Sequence, residues 1–335
     1  MTADPAPGSA PGSTAVPGRS RTGARPAVAV VTDSTASLPP GAAERWGIGV
    51  VPLDVVVDGV RHVEGVDLTS ADLLGALTHG ARVTTSQPPP AAFAAAYARA
   101  AAAGAREIVS VHLSGELSGT VRAARLAAAT SPVPVHVVDS RVVGMALGFA
   151  VLDAARCAAG ADGPAPAPTT GPLAAARSWW RARRHPQPAG PDAAAVAARA
   201  TATAASTRVW FLVESIDHLR RGGRLSAPAA AIGTVLGLRP LLALRDGSVV
   251  VQEKVRTRRA ARDRLEAVAV AEAAARPAVR VAVHHLGQPD LGSSIGAQVA
   301  AWAGDRVSEV VVCESSAVLA AHAGPGLLAI VVADA

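Results

Sequence analysis

Two serine–glycine pairs stand in the stretch EIVSVHLSGELSGTVRAARLAA, residues 107–128. A β-branched run ends at Ser114-Gly115, and an alanine-rich helical pattern begins after Ser118-Gly119. Free backbone N–H groups at a helix start, together with the helix dipole, favour a negative charge. The spacing therefore predicts an anion-binding position at Ser118. Taken alone, Ser118 is better explained as an ordinary N-cap serine.

Two other stretches carry neutral hydrogen-bonding groups. Thr84-Thr85-Ser86-Gln87-Pro88 presents hydroxyls in a segment that its prolines hold extended. His322, in AHAGPG, adds a titratable donor beside flexible glycines. Together with Ser118 these groups form a candidate site for an anion such as a carboxylate.

A nucleophilic role for Ser118 is the alternative chemistry. The string Gly115-Glu116-Leu117-Ser118-Gly119 is not G-x-S-x-G, because its serine stands one place too late for a nucleophile elbow. Ser118, His322 and Asp139 can still form a catalytic triad if the fold brings them together. An acyl hydrolase or transferase using Ser118 and His322 therefore stays open as a second hypothesis.

Other cofactor and metal motifs do not fit their required context. The run 324–329 matches G-x-G-x-x-A, but it precedes a final strand with no helix after it, which excludes a dinucleotide site. No Walker A string is present. His284-His285 lies at a strand end with no acidic or cysteine partner expected nearby, so the pair indicates a metal only weakly and we assign no metal site.

The elements around these residues alternate between strand and helix. Strands are predicted at 27–32, 107–113 and 133–140, each followed by a polar cluster and then a helical pattern. Such alternation is typical of a parallel sheet covered on both faces, whose ligands bind at the carboxyl ends of the strands. The clusters are Asp33-Ser34, Ser114 to Thr120, and Asp139-Ser140. We therefore expect them to share one crevice.

The remaining pattern predicts a second α/β domain. In the first half, 48–59 is strand-like and ends in the turn Asp58-Gly59, and Thr69 opens a helix with a capping box variant. In the second half we predict a strand after 208, a hairpin turning at Asp246-Gly247, helices at 257–275 and 288–303, and strands at 279–285, 307–313 and 327–333. The predicted organisation is a disordered tail 1–26, an N-terminal domain 27–159, a Pro/Gly/Arg-rich insert 160–191 and a C-terminal domain 192–335.

Composition limits the classes of function. Half of the chain, 50%, is hydrophobic but only 3% is aromatic, so Ala, Val and Leu must build the core. The tail carries three arginines against one aspartate and the insert four against one, which leaves the rest nearly neutral out of a net charge of +6. We therefore expect no nucleic-acid binding by the body of the protein. Cys157 and Cys313 are predicted to be small buried residues.

Membrane and export signals are missing from the pattern. No run approaches the roughly 18 uninterrupted apolar residues of a membrane span, and residues 1–20 have no apolar core of a signal peptide. We therefore expect a cytoplasmic protein without stable membrane insertion.

Several strings, in this order and spacing, resemble the DegV family. They are VTDSTASLP, VTTSQPPP, LSGELSGT, VVDS, HLRRGGRL, EKVRTRRAA and HAGPG. The resemblance runs from about Ala27 to Ala335, apart from the insert. It implies a two-domain α/β fold with a lipid slot between the domains. It also implies a non-enzymatic protein that binds one long-chain fatty acid, needs no other cofactor, and presents the carboxylate to an ATP-binding fatty acid kinase subunit that makes the acyl phosphate.

The resemblance also assigns residues. Thr85 and Ser118 fall on the positions that hydrogen-bond the fatty acid carboxylate, and His322 falls on a histidine beside it. A second tier, for the head group or for partner docking, consists of Ser86, Gly119, Arg224 and Arg256. This chain departs from the family in its longer insert, in the acidic Glu116, and in slot walls left to Ala, Val, Leu and Ile.

Overall fold

The computed structural model describes residues 27–161, 190–225 and 239–335. The predicted tail 1–26 and nearly all of the predicted insert 160–191 lie outside the described residues. The strands of the described residues are β1 Val28–Asp33, β2 Gly49–Val51, β3 Asp54–Val57, β4 Val60–Val63, β5 Val83–Ser86, β6 Glu107–His112, β7 Val135–Asp139, β8 Arg208–Leu212, β9 Arg239–Arg245, β10 Ser248–Val255, β11 Val279–His285, β12 Val307–Glu314 and β13 Leu328–Asp334.

The helices of the same residues are α1 Ala42–Trp46, α2 Ser70–Thr78, α3 Pro90–Ala102, α4 Thr120–Ala128, α5 Met145–Ala158, α6 Ala193–Ser206, α7 Asp217–Arg221, α8 Arg258–Ala274, α9 Pro289–Ala303 and α10 Ala317–Ala323. Short 3₁₀ turns cover Ser34–Ala36 and Gly304–Arg306. Thr69 caps α2 through the predicted reciprocal contacts with Asp72.

The N-terminal sheet is parallel, in the order β2-β1-β6-β7, as the alternating pattern predicts. Its β-branched strands carry apolar side chains on both faces. Val31 and Ile108 pack with α3 and α4, whereas Val30 and Val109 pack on the opposite side with α5. A parallel sheet covered in this way keeps its strands away from water on both faces.

The stretch 48–59 is not the single strand that its pattern predicts. It forms β2 and β3, which belong to different sheets, because the chain turns at Pro52, where no backbone N–H is available for a strand ladder. The next amide, Leu53 N, donates to Ser34 Oγ at 3.0 Å. The predicted turn Asp58-Gly59, with φ of 49° and 87°, then joins β3 to β4 in an antiparallel sheet of order β4-β3-β5.

The C-terminal sheet has the order β10-β9-β8-β13-β11-β12. Only β11 and β12 run parallel; the other neighbours are antiparallel, and β9 and β10 form the hairpin predicted at Asp246-Gly247. Helices α8 and α9 cover one face of this sheet. Its other face looks toward the N-terminal half.

Helix α5 lies between the two larger sheets. It contacts β1 and β6 on one side and β11 and β13 on the other, and the residues from Met145 to Ala155 are all buried. The charged residue in this buried run, Asp153, accepts two hydrogen bonds of 2.8 Å from the guanidinium of Arg280 in β11. Helix α6 packs on α5, β6 and β7, so the helix that follows the predicted boundary at 192 lies on the N-terminal sheet.

Neither cysteine forms a disulfide, and both side chains are half-buried rather than fully buried as predicted. Among residues 27–161, 190–225 and 239–335, no helix combines the length and the apolar character that crossing a membrane requires.

Candidate functional site

A cavity lies between the N-terminal half and the C-terminal sheet. It encloses about 940 Å³ of space between atoms, its opening to solvent included. Its walls are largely aliphatic, as the composition predicts, and Phe211 is the aromatic side chain among its described lining residues. The apolar lining residues are Leu53, Leu113, Leu117, Val143, Val209, Phe211, Leu219, Leu244, Val249, Val318, Leu319, Ala323, Leu327, Ala329 and Val331.

Three separate elements bring hydroxyl and imidazole groups to this cavity. Thr85 comes from β5, Ser118 from the loop between β6 and α4, and His322 from α10. Thr85 Oγ1 lies 2.7 Å from His322 Nε2, a contact between residues 237 positions apart. The structure therefore brings the three predicted carboxylate-binding residues to one cavity.

The loop around Ser118 differs in detail from the prediction. Helix α4 begins at Thr120 with Gly119 as its N-cap residue, so Ser118 stands before the helix rather than at its start. Ser118 Oγ lies 2.8 Å from Thr120 Oγ1 and accepts a hydrogen bond from Thr120 N at 3.3 Å. A side chain at position 119 would overlap the amide of Gln87, so glycine allows Gln87 to pack against the backbone here.

The charge at this end of the cavity comes from Arg224. Its Nε donates to Leu117 O at 3.0 Å, and its Nη1 donates to Gly222 O. Burial lowers the pKa of Arg224. Burial, reinforced by the charge of Arg224, lowers the pKa of His322 to about 4. At neutral pH the described residues of the site therefore offer neutral hydroxyl and imidazole groups beside the guanidinium of Arg224, whose Nε and Nη1 donate to backbone carbonyls.

The geometry does not assemble the triad of the alternative hypothesis. Asp139 Oδ1 accepts from Gly115 N and Arg141 N, both at 3.0 Å, and His322 Nε2 contacts Thr85. Within the described residues no hydrogen bond joins Ser118, His322 and Asp139 to one another. Among the described residues, Ser118 therefore has neither the hydrogen-bonded base nor the orienting carboxylate that a serine nucleophile requires.

The polar clusters at the strand ends meet but do not share a ligand site. Asp33 Oδ2 lies 3.0 Å from both Leu113 N and His112 Nδ1, and Asp139 holds Gly115 N. These buried or half-buried carboxylates shape the serine–glycine loop. Of the residues that define the three clusters, Leu117 and Ser118 line the cavity. The prediction of one shared crevice is wrong for Asp33 and Asp139.

The second-tier residues fall into two groups. Ser86 lines the cavity and its Oγ donates to Asp54 Oδ2 at 3.3 Å, while Gly119 and Arg224 lie around its polar end. Arg256 is exposed after β10 and does not line the cavity. Its docking role stays a prediction.

Sequence reasoning missed a pair beside the cavity. His284, a lining residue, accepts a hydrogen bond from Met145 N at Nε2, 2.8 Å, and its Nδ1 lies 3.3 Å from Cys313 Sγ. The prediction that no cysteine neighbours the two histidines is therefore wrong. Cys313 is the register partner of His284 across β11 and β12, which sequence spacing does not reveal. In the part of the chain that the structure describes, no cluster of three or more metal-ligating side chains occurs.

Fold and cavity together define an α/β protein with two larger sheets and one small sheet, built around an apolar slot with a polar end. The chain belongs to the DegV family, whose model, described as "Uncharacterised protein, DegV family", matches residues 27–166 and 187–335. The unmatched residues 167–186 fall inside the predicted insert.

Known relatives cover nearly the whole chain. It is 42% identical over 310 residues to a DegV domain-containing protein of Streptomyces coelicolor, covering 92% of this chain and 98% of that protein. The structure resembles a DegV family protein from Thermus thermophilus described for its fatty acid binding, with TM-score 0.73, 31% identity, and 92% and 99% of the two chains covered. It also resembles DegV from Bacillus subtilis, described as a fatty acid binding protein, with TM-score 0.75, 28% identity and the same coverage.

Proposed function

We propose that this protein binds one long-chain fatty acid, with the acyl chain in the cavity and the carboxylate at Thr85, Ser118 and His322. The observation that carries the proposal is the convergence of these three residues on one largely apolar cavity. The relatives from Thermus thermophilus and Bacillus subtilis, described as fatty acid binding, support the same ligand class.

Transfer of an acyl chain from water into this apolar cavity is favourable in free energy. Roughly fifteen methylenes at about 0.8 kcal/mol each contribute about 12 kcal/mol before the costs of ordering and association. The carboxylate must then find hydrogen bonds, because a buried charge without partners is strongly unfavourable. Two hydroxyls and an imidazole supply them, and Arg224 adds a favourable field.

The carboxylate then serves as the substrate of a separate kinase subunit. In that step a carboxylate oxygen attacks the γ-phosphorus of ATP, the acyl phosphate forms, and ADP leaves. Neutral hydroxyl and imidazole partners leave this oxygen more nucleophilic than a bidentate arginine would. Arg224 near the cavity and the exposed Arg256 are the groups we assign to partner docking. In this scheme the protein is cytoplasmic, needs no cofactor besides its lipid, and has no activity alone.

Mass spectrometry of an organic extract of the purified protein tests the ligand. We expect one equivalent of a long-chain fatty acid, and lower retention in Thr85→Ala and Ser118→Ala. Ser294→Ala, on the exposed surface of α9, is the matched control. Full retention in both site variants would contradict the assigned site, and extracts without fatty acid would contradict the ligand.

A second assay tests the partner and the competing activity. We expect ATP-dependent acyl phosphate formation when a fatty acid kinase subunit is added, and none without it. Hydrolysis of a nitrophenyl ester by the protein alone, abolished by Ser118→Ala, would instead support an acyl hydrolase.

A further inference from the structure

A second polar group faces the cavity away from Thr85 and His322. Ser315 follows β12, is 1% exposed and lines the cavity. Its backbone N donates to His285 O and its backbone O accepts from Ser70 Oγ, both at 2.7 Å. Its side-chain Oγ is buried with no hydrogen-bond partner among the described residues. The hydroxyl is therefore the group of Ser315 that remains available to hydrogen-bond a ligand in the cavity.

Neighbouring polar groups do not satisfy this hydroxyl. His284 also lines the cavity, but Met145 N and Cys313 Sγ occupy its two ring nitrogens. Ser316 Oγ is engaged in capping α10, where it accepts from Leu319 N. A buried hydroxyl without a partner is unfavourable, and native proteins usually pair such a group with water or ligand.

The length of α10 gives the distance between Ser315 and the proposed carboxylate site at His322. Ser315 precedes this helix, His322 lies near its end, and both line the cavity. From Ala317 to His322 the helix rises about 7.5 Å at about 1.5 Å per residue. The two residues before the helix add a few ångströms, so Ser315 and His322 lie roughly 10 Å apart. An extended hydrocarbon chain advances roughly 1.25 Å per carbon–carbon bond, given bonds of about 1.5 Å at near-tetrahedral angles. The Ser315 hydroxyl therefore stands about eight bonds from the carboxylate, near the middle of a long acyl chain.

We propose that the cavity selects a fatty acid that carries a hydroxyl group near the middle of its chain, with Ser315 Oγ as its hydrogen-bond partner. This inference rests on the proposed fatty acid function and names its substrate class. An unsubstituted chain would lay methylenes against Ser315 Oγ and displace any water from it. A mid-chain hydroxyl both donates and accepts, so it pairs with Ser315 in either orientation.

Calorimetric titration of the delipidated full-length protein tests the selection. We expect 10-hydroxystearic acid to bind about tenfold more tightly than stearic acid, the effect of one buried hydroxyl gaining or lacking a partner. Ser315→Ala should reverse the order, binding 10-hydroxystearic acid more weakly and stearic acid more tightly than the original protein. Ser315→Thr, which keeps a hydroxyl, should retain the original order.

The position of the ligand hydroxyl provides the control. We expect 2-hydroxystearic and 17-hydroxystearic acids to show no advantage that depends on Ser315, since their hydroxyls lie at the ends of the chain. Equal binding of stearic and 10-hydroxystearic acids, or a preference that survives in Ser315→Ala, overturns the inference while fatty acid binding itself stands. Absence of binding for all four acids overturns the proposed function as well.

Discussion

The imidazole of His284 is part of the cavity wall and contacts Cys313 of β12. Burial lowers its pKa to about 4, with the neighbouring His285 adding to the effect, against an ordinary value of 6.5. Its Nε2 accepts the amide proton of Met145, the first residue of α5. A proton on Nε2 would remove that acceptor at the start of the most buried helix in the described chain.

We expect the free energy of unfolding to fall as the pH is lowered from 7 to 5. The unfolded chain protonates His284 near pH 6.5 but the folded chain only near pH 4, so the unfolded state binds more protons in this window. The linkage amounts to about 2 kcal/mol for this residue at pH 5. Urea unfolding at both pH values measures it.

His284→Gln provides the matched variant, because its amide oxygen can still accept from Met145 N but does not titrate. Its unfolding free energy should depend less on pH than that of the original protein. An identical pH dependence in the two proteins would assign the loss to other groups.

At the scale of single residues, the sequence predicted which side chains line the site better than it predicted which of them contact each other. Thr85, Ser118 and His322 were identified through motifs shared with a family, and all three line one cavity. The contact between Thr85 and His322 was not predictable from spacing, because β5 and α10 come from opposite halves of the chain. Ser315 and Cys313 were missed for a related reason: their partners or their lack of partners depend on strand register, which a single sequence does not encode locally.

Two helical glycines show how tightly individual elements are packed. An added Cβ at Gly148 in α5 would lie 2.6 Å from Ala36 O, a backbone atom, whereas one at Gly75 in α2 would meet nothing within 4 Å. Glycine in a helix costs up to about 1 kcal/mol relative to alanine because of its backbone freedom. Substitution at Gly75 therefore measures helix propensity alone, whereas substitution at Gly148 also measures the cost of disturbing close packing.

We expect Gly75→Ala to stabilise the protein by up to about 1 kcal/mol. Gly148→Ala should destabilise it by about 1–3 kcal/mol, since α5 or the 3₁₀ turn Ser34–Ala36 must move. Thermal unfolding of the two variants measures the difference. Stabilisation by both substitutions would mean that α5 can shift away from Ala36 at little cost.

Helices and strands were predicted well where their hydrophobic pattern extends over many residues. The helices α8 and α9 and the strands β1, β6 and β11 lie close to their predicted bounds. Two errors have local causes. Pro52 divides one apolar run between two sheets, and α10 has only seven residues next to Gly324, which is too short for a helical period to show.

At the scale of the whole molecule, one buried ion pair joins the two halves. Asp153 in α5 meets Arg280 in β11 through two hydrogen bonds, and Thr203 Oγ1 donates to the same carboxylate at 2.8 Å. Burial opposes the ionisation of Asp153, but Arg280 and Thr203 outweigh it and hold the pKa below its usual range. Arg280 also lies over the ring of Phe149 at 4.7 Å.

We expect Arg280→Met to cost about 3–5 kcal/mol of unfolding free energy, because it leaves a buried carboxylate without its main partner. Asp153→Leu combined with Arg280→Met should cost less than the sum of the two single changes. Arg264→Met, which breaks the half-exposed pair with Glu253, is the control and should cost at most about 1 kcal/mol. Equal losses for Arg280→Met and Arg264→Met would contradict the structural role of the buried pair.

The two-part α/β architecture was predictable because strand and helix patterns alternate along the whole chain. The mixed C-terminal sheet was not, since β13 enters between β8 and β11 from the far end of the sequence. The place of α6 on the N-terminal sheet was also unexpected. Both depend on long-range pairing rather than on local pattern.

The apolar side chains of helix α5 pack against both the N-terminal and the C-terminal sheet. Neither half of the protein can therefore bury its apolar surface without the other. If residues 1–161 and 190–335 are produced as two separate polypeptides in one cell, we expect them to co-purify as a reconstituted complex. Each piece made alone should aggregate, because α5 or the sheet face it covers would meet water. Independent solubility of either piece, seen by size-exclusion chromatography, would contradict this expectation. We therefore expect a gene encoding such a fold to tolerate a break between α5 and α6 more readily than the loss of β1 or β13.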